Sequence, residues 1–142
     1  MKTATRTFET GREPASLDIT GEAAAFVSGE GDGLLSVFVP HATAGVAIIE
    51  TGSGSDRDLL EHLGTLLPRD DRWSHRHGSP GHGADHVMPA LISPSTVIPV
   101  VDGVLQLGTW QSIVLVDPNV DNPRRTVMFA FIAAGQTHPR TP

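Results

Sequence analysis

The stretch STVIPVVDGVLQLGTWQSIVLV, residues 95–116, decides the fold class. Three short runs rich in apolar and β-branched side chains, Thr96–Val100, Val104–Leu107 and Ser112–Val116, are separated by turn signals at Asp102-Gly103 and near Gly108. Such runs suit the pleated surface of a sheet, and they read as consecutive strands.

Outward from that core the pattern repeats. Arg125 to Ala134 is a last, strongly apolar strand, and Thr3 to Thr10 alternates as an edge strand ended by Gly11 and Pro14. Leu34 to Val39 and Val46 to Glu50 flank the turn PHATAG at 40–45 and read as adjacent strands. Two helices are expected. Thr20 can cap one that runs through Phe26 and Val27 into the glycine-rich turn GEGDG at 29–33. Ser55, followed by Asp56 and Asp58, starts the other, whose stripe of Leu59, Leu60, Leu63, Leu66 and Leu67 ends at Pro68. Residues 68–85, PRDDRWSHRHGSPGHGAD, carry charge and histidine without periodicity and read as one long loop, a kind of segment that is functional or disordered in compact domains. The expectation is an α+β fold: a single compact domain over 1–142, a mostly antiparallel sheet system with two short helices, and a frayed tail over about 135–142.

The 15 glycines and 11 prolines agree with many turns, and 142 residues suffice for one core. Ten basic against 16 acidic side chains give a net charge of −6, which opposes binding to nucleic-acid backbone or an anionic membrane. The absence of cysteine excludes disulfides, thiolate metal sites and a cysteine nucleophile, and suits a reducing compartment. With no apolar run near the length of a membrane span and no signal-peptide pattern at the start, the expected location is cytoplasmic.

The chemistry-bearing residues are histidines. His75, His77, His82 and His86 crowd one segment, and neutral imidazoles from different elements are good ligands for zinc or a similar ion. His41, on the turn between two core strands, is the natural rigid partner of His75 and His86, which bracket a loop able to bring its ends together. His77 and His82 then fall inside the loop as a lid or outer support, with His62 and His138 at the surface. His82 and His86 would share a helical face, but Gly81 and Gly83 oppose a helix there. Trp110, two residues after Gly108, reads as a packing anchor in preference to a substrate platform. Arg124 and Arg125 sit where guanidiniums could bind phosphate or pair with the chain's acids.

PHATAG with Glu50 downstream, W-S-H at 73–75, His86, STVIPV, GTWQS at 108–112 and PRR at 123–125 together resemble the YjbQ-like family, also called the secondary thiamine-phosphate synthase family. The resemblance runs from about Leu34 to Ala134 and is most specific at Gly108–Gln111. It implies a compact α+β domain that associates as a homotrimer, with a histidine-lined cleft able to hold a divalent metal, zinc fitting best. Weak thiamine-phosphate-forming activity is attributed to some members. Residue by residue, it implies His41 and Glu50 as catalytic groups and His41, His75 and His86 as metal ligands. Thr43, Ser95, Thr109, Gln111 and Arg125 are the candidates for binding substrate or phosphate. Gly78 stands where many members carry a loop glutamate, and the asparagines that flank the acid in the family are absent around Glu50. Two readings follow: a metal- or anion-binding enzyme acting on a phosphorylated small molecule, or a non-catalytic trimeric protein that binds a metal or metabolite.

Overall fold

A computed structural model describes residues 1–135; the reading of His138 and nearly all of the tail reading lie outside the described residues. The elements are β1 (Lys2–Glu9), β2 (Ala15–Asp18), α1 (Thr20–Val27), β3 (Gly33–Phe38), β4 (Gly45–Ile49), α2 (Ser55–Leu66), α3 (His82–Val87) with a 3-10 turn at Met88–Ala90, β5 (Ser95–Val101), β6 (Val104–Leu105), β7 (Ser112–Asp117) and β8 (Arg124–Ala133). They build two antiparallel sheets, of order β1-β8-β3-β5-β6 and β2-β7-β4. The α+β, mostly antiparallel class is as expected, with β1 at an edge.

Alternation explains the layering. Leu35 and Val37 of β3 and Val127, Phe129 and Phe131 of β8 point inward from the large sheet, meeting Ile113 and Leu115 of β7 and Phe26 and Val27 of α1. Val114 and Val116 point to the other face of β7, against Leu63 of α2 and Met88. Because β7 is covered on both faces, its sequence is a continuous apolar run rather than an alternating one. The small sheet is thus the middle layer, and α2 and α3 cover its outer side. Among the described residues no helix is long and apolar enough to cross a membrane.

Five expectations are corrected. β3 and β4 do not pair: β3 lies between β8 and β5, while β4 pairs with β7, so the 39–44 connection carries the chain between layers. That connection is too long to impose a two-residue hairpin. A strand at Ala15–Asp18, whose Ala-Ser-Leu-Asp alternation is too short to stand out between Pro14 and α1, pairs with β7. Thr20 does not cap α1; its N–H donates to Asp18 Oδ1 at 2.9 Å, and its hydroxyl accepts the Ile113 N–H at 2.8 Å. Trp110 is 72% exposed and anchors no core. Finally, the long loop ends at Gly81 and a third helix begins at His82. Gly83 serves packing there rather than helix breaking, because a Cβ on it would lie 2.4 Å from the Trp73 Cβ and 2.7 Å from the His75 carbonyl. The helix can form only with that glycine, since the loop crosses directly over it.

Candidate metal centre

α3 sets the first two side chains. Residues four apart share a helical face, and the His82 and His86 Nε2 atoms lie 2.9 Å apart. The preceding loop folds back so that His75 sits with its ring centroid 4.1 Å from that of His86, and His77 with its centroid 4.0 Å from that of His75. One ligand-capable nitrogen from each of the four lies within 4.8 Å of all the others. His82 is buried, His86 half-buried, and His75 and His77 exposed, so the cluster opens to solvent on its loop side.

A polar frame holds the buried member. His82 Nδ1 is 2.8 Å from Asp121 Oδ2. Asn119 donates through Nδ2 to Asp85 Oδ2 at 2.9 Å, and Asp85 is paired on its other oxygen with Arg69. Arg69 also donates to the Ser79 hydroxyl at 3.1 Å. This frame joins the histidine loop, α3 and the segment after β7.

Electrostatics favour the neutral form of two of the rings. Desolvation, then repulsion from His77 and His82, holds His75 below the ordinary histidine pKa. The same causes, with His75 foremost among the neighbours, lower His86, and Asp85 only partly opposes them. The Ser79 N–H holds the Asp121 carboxyl below its ordinary value. Neutral imidazoles beside an ionised carboxylate form a donor set suited to zinc, copper(II) or nickel(II), and the all-nitrogen composition disfavours calcium and magnesium. An open cleft adjoins the cluster, lined by Asp70, Asp71, Trp73, His75, Arg76 and His82 among others.

The residues expected from sequence separate into several places. His75 and His86 meet. His41 is not in the group: its Nε2 accepts the Thr126 N–H at 2.8 Å, and burial, then the nearby Arg125 charge, lower its pKa. Arg125 is 2% exposed and pairs bidentately with Asp117, Nε to Oδ2 and Nη2 to Oδ1 both at 2.8 Å, while Nη2 also donates to Thr43 Oγ1 at 3.2 Å. Burial and these partners leave Arg125 and Thr43 in an internal ion-pair network instead of at a phosphate site. Glu50 accepts the Ser53 hydroxyl at 2.7 Å, beyond the opposite end of β4 from Thr43. Ser95 begins β5, exposed. Thr109 is exposed on the turn before β7, where Gln111 Oε1 accepts the Gly108 N–H at 2.7 Å and faces a separate cleft with Ile48, Val97 and Leu107. His62 lies at the surface as expected, donating through Nδ1 to the Asp58 carbonyl if that nitrogen carries the proton.

The sequence leaves His77 and His82 outside the converging group expected of His41, His75 and His86 and gives no sign of Asn119 and Asp121 beside it. The spacing of 82 and 86 was the available signal, and the flanking glycines masked it. Nothing local marks Asn119 or Asp121, which reach the site through the register of β7.

The sequence profile described as UPF0047 protein YjbQ-like matches residues 4–134. A UPF0047 protein of Mycobacterium tuberculosis is 62% identical over 116 residues, covering 82% of this chain and 87% of its own length. One from Archaeoglobus fulgidus is 32% identical, covering 88% and 98%. Among solved structures, a hypothetical protein of Aeropyrum pernix K1 superimposes with a TM-score of 0.85 at 36% identity, covering 94% of this chain and all of its own. An uncharacterised conserved protein of the YjbQ/UPF0047 family from Clostridium acetobutylicum gives 0.81 at 31%, covering 91% and 99%.

Proposed function

The chain belongs to the UPF0047 family of YjbQ-like proteins, and from that premise we propose that it binds one transition-metal ion, zinc by preference, through His75, His77, His82 and His86. The observation that carries this reading is the convergence of four imidazoles within 4.8 Å. Four neutral nitrogen donors match the coordination number and ligand type of tetrahedral zinc. Solvated surface histidines would not be backed by a carboxylate at 2.8 Å or share an Asn-Asp-Arg frame. When bound, such an ion supplies Lewis-acid polarisation of an oxygen placed beside it. The chain's own contribution is to hold His82 and His86 rigid on α3 while His75 and His77 close from the loop.

An enzymatic reading, turnover of a phosphorylated small molecule and in particular thiamine-phosphate formation, is favoured by one specific feature. The cleft beside the cluster, whose rim also carries Asp70 and Asp71, offers Arg76 and the Trp73 ring to a partly planar molecule with a single anionic group. Arg76, rather than the buried Arg125, is then the phosphate-facing cation, and the His75 and His77 side is where a ligand enters. Glu50 and His41 reach that cleft only if a second subunit brings them there. The proposed assembly is a homotrimer. Its support is the outer face of the large sheet, where Leu34, Phe38, Val97, Met128 and Ile132 are exposed. Leu34 pairs with Ile132 and Phe38 with Met128, while Val97 sits opposite Ser36. Apolar side chains contiguous over three strands suit burial against another copy.

The test is elemental analysis of purified protein, followed by zinc titration and turnover assays on loaded and stripped forms. One ion per chain, lost on replacing His82 and His86 by alanine, supports the reading. No stoichiometric binding refutes it. Stoichiometric metal without turnover on a panel of phosphorylated metabolites selects the binding protein over the enzyme.

A further inference from the structure

We propose that Asp121 is the positioning residue of this centre: its carboxylate accepts a hydrogen bond from the Nδ1–H of His82, fixes the ring as that tautomer and turns the Nε2 lone pair toward His86 and the loop histidines. The consequence for metal affinity rests on the metal-binding reading above; the tautomer does not.

Two groups compete for His82 Nδ1. Asp121 Oδ2 approaches to 2.8 Å and requires a proton on the nitrogen, whereas Asn119 Nδ2 approaches to 3.1 Å and requires a lone pair there. Asn119 cannot resolve the conflict by flipping its amide, because its Oδ1 accepts the Asp121 N–H at 3.0 Å and the Asn122 N–H at 3.2 Å. Its Nδ2 already has an acceptor in Asp85 Oδ2 at 2.9 Å. The shorter, charge-assisted bond to the carboxylate therefore prevails, being about twice as strong as a neutral one.

Asp121 is itself held in place. Its Oδ2 accepts the Ser79 N–H at 3.2 Å, and its own N–H is held by Asn119. Gly78, at φ +82°, closes the loop over the pair: a Cβ there would lie 2.8 Å from His82 Cγ and 2.9 Å from Asp121 Oδ2. A carboxylate on the far nitrogen of a ligand histidine fixes its tautomer and raises its basicity. His82 thus acts as the preorganised ligand, and exposed His75 and His77 complete the set.

The experiment reads the ring nitrogens of His82 by ¹⁵N NMR in metal-free protein at about pH 8, above the ordinary histidine range, and zinc affinity by competition with a chromophoric chelator. Wild type, Asp121→Asn and Asp121→Ala are compared, with thermal melts to confirm folding; the asparagine variant keeps an acceptor for Ser79. The expected result is Nδ1–H in wild type and a shift toward Nε2–H in Asp121→Ala, where Asn119 becomes the donor. Zinc affinity then falls about 10–100-fold, with Asp121→Asn between the two. An Nε2–H ring in wild type, or a tautomer unmoved by Asp121→Ala, overturns the proposal. A moved tautomer with unchanged zinc affinity overturns its consequence. A wild-type protein that binds no zinc refutes the metal reading instead, and the tautomer result still decides the positioning claim.

Discussion

Replacing Asp117 by asparagine tests the assignment of Arg125 to the interior. The substitution keeps an oxygen for the Asn119 N–H, which Asp117 Oδ1 accepts at 3.1 Å, but removes the negative charge facing the Arg125 guanidinium in a pair only 1–2% exposed on either side. Breaking a buried pair from one side leaves an uncompensated charge and typically costs about 3–5 kcal/mol. That is a large share of a total stability of ~5–15 kcal/mol. With an unfolding entropy of about 2.1 cal/mol/K per residue, a chain of this length should melt about 10–17 °C lower. Urea and thermal unfolding, followed by far-UV circular dichroism, read the effect. The double variant Asp117→Leu with Arg125→Met should recover much of the loss, since apolar replacement of a buried pair is often neutral; recovery stays partial because Asn119 and Thr43 each lose a partner. A loss under about 1 kcal/mol, the range of solvated ion pairs, would refute the reasoning. An Arg125→Met variant that melts like wild type but no longer binds phosphorylated ligands would return Arg125 to a phosphate site.

Trp110→Ala should change stability by less than about 1 kcal/mol, because truncating an aromatic costs the usual ~3–5 kcal/mol only when it is buried; a melt more than a few degrees lower would contradict its 72% exposure. Gly78→Ala should cost about 1–3 kcal/mol through crowding and a positive φ and weaken zinc binding, and a variant equal to wild type in both would remove the close contact over His82. In metal-free protein, stability should fall as pH drops below about 6.5. His41, His75 and His86 all have folded pKa values below the ordinary one, so the unfolded chain binds more protons and stability rises with pH across that window. Chemical unfolding at a series of pH values checks the sign, and greater stability at pH ~5 than at pH ~7 would reverse it.

The strands were legible as short apolar, β-branched runs bounded by turn residues. Which face of β3, β5 and β8 is buried was not, because Leu34, Phe38, Val97, Met128 and Ile132 make the outer face apolar as well. Pairing partners were less legible, because β3 and β4 look alike in sequence and only the path of the 39–44 connection sends them to different sheets. The site was half legible. The crowding of histidines marked the segment, but loop propensity concealed α3, since Gly81 and Gly83 are there for a left-handed turn and a close crossing of Trp73. His41 looked convergent by its position on a turn, yet its ring is occupied by the Thr126 N–H. Trp110 misled because a tryptophan just before an apolar strand resembles a core residue when nothing in the local sequence reports exposure.

The measurement closest to the central claim is anomalous diffraction at the zinc edge from crystals of zinc-loaded protein. The account predicts one peak per chain, bounded by the nitrogens of His75, His77, His82 and His86 at about 2.0–2.1 Å. A peak beside His41, or full zinc occupancy at any place away from α3, would contradict it.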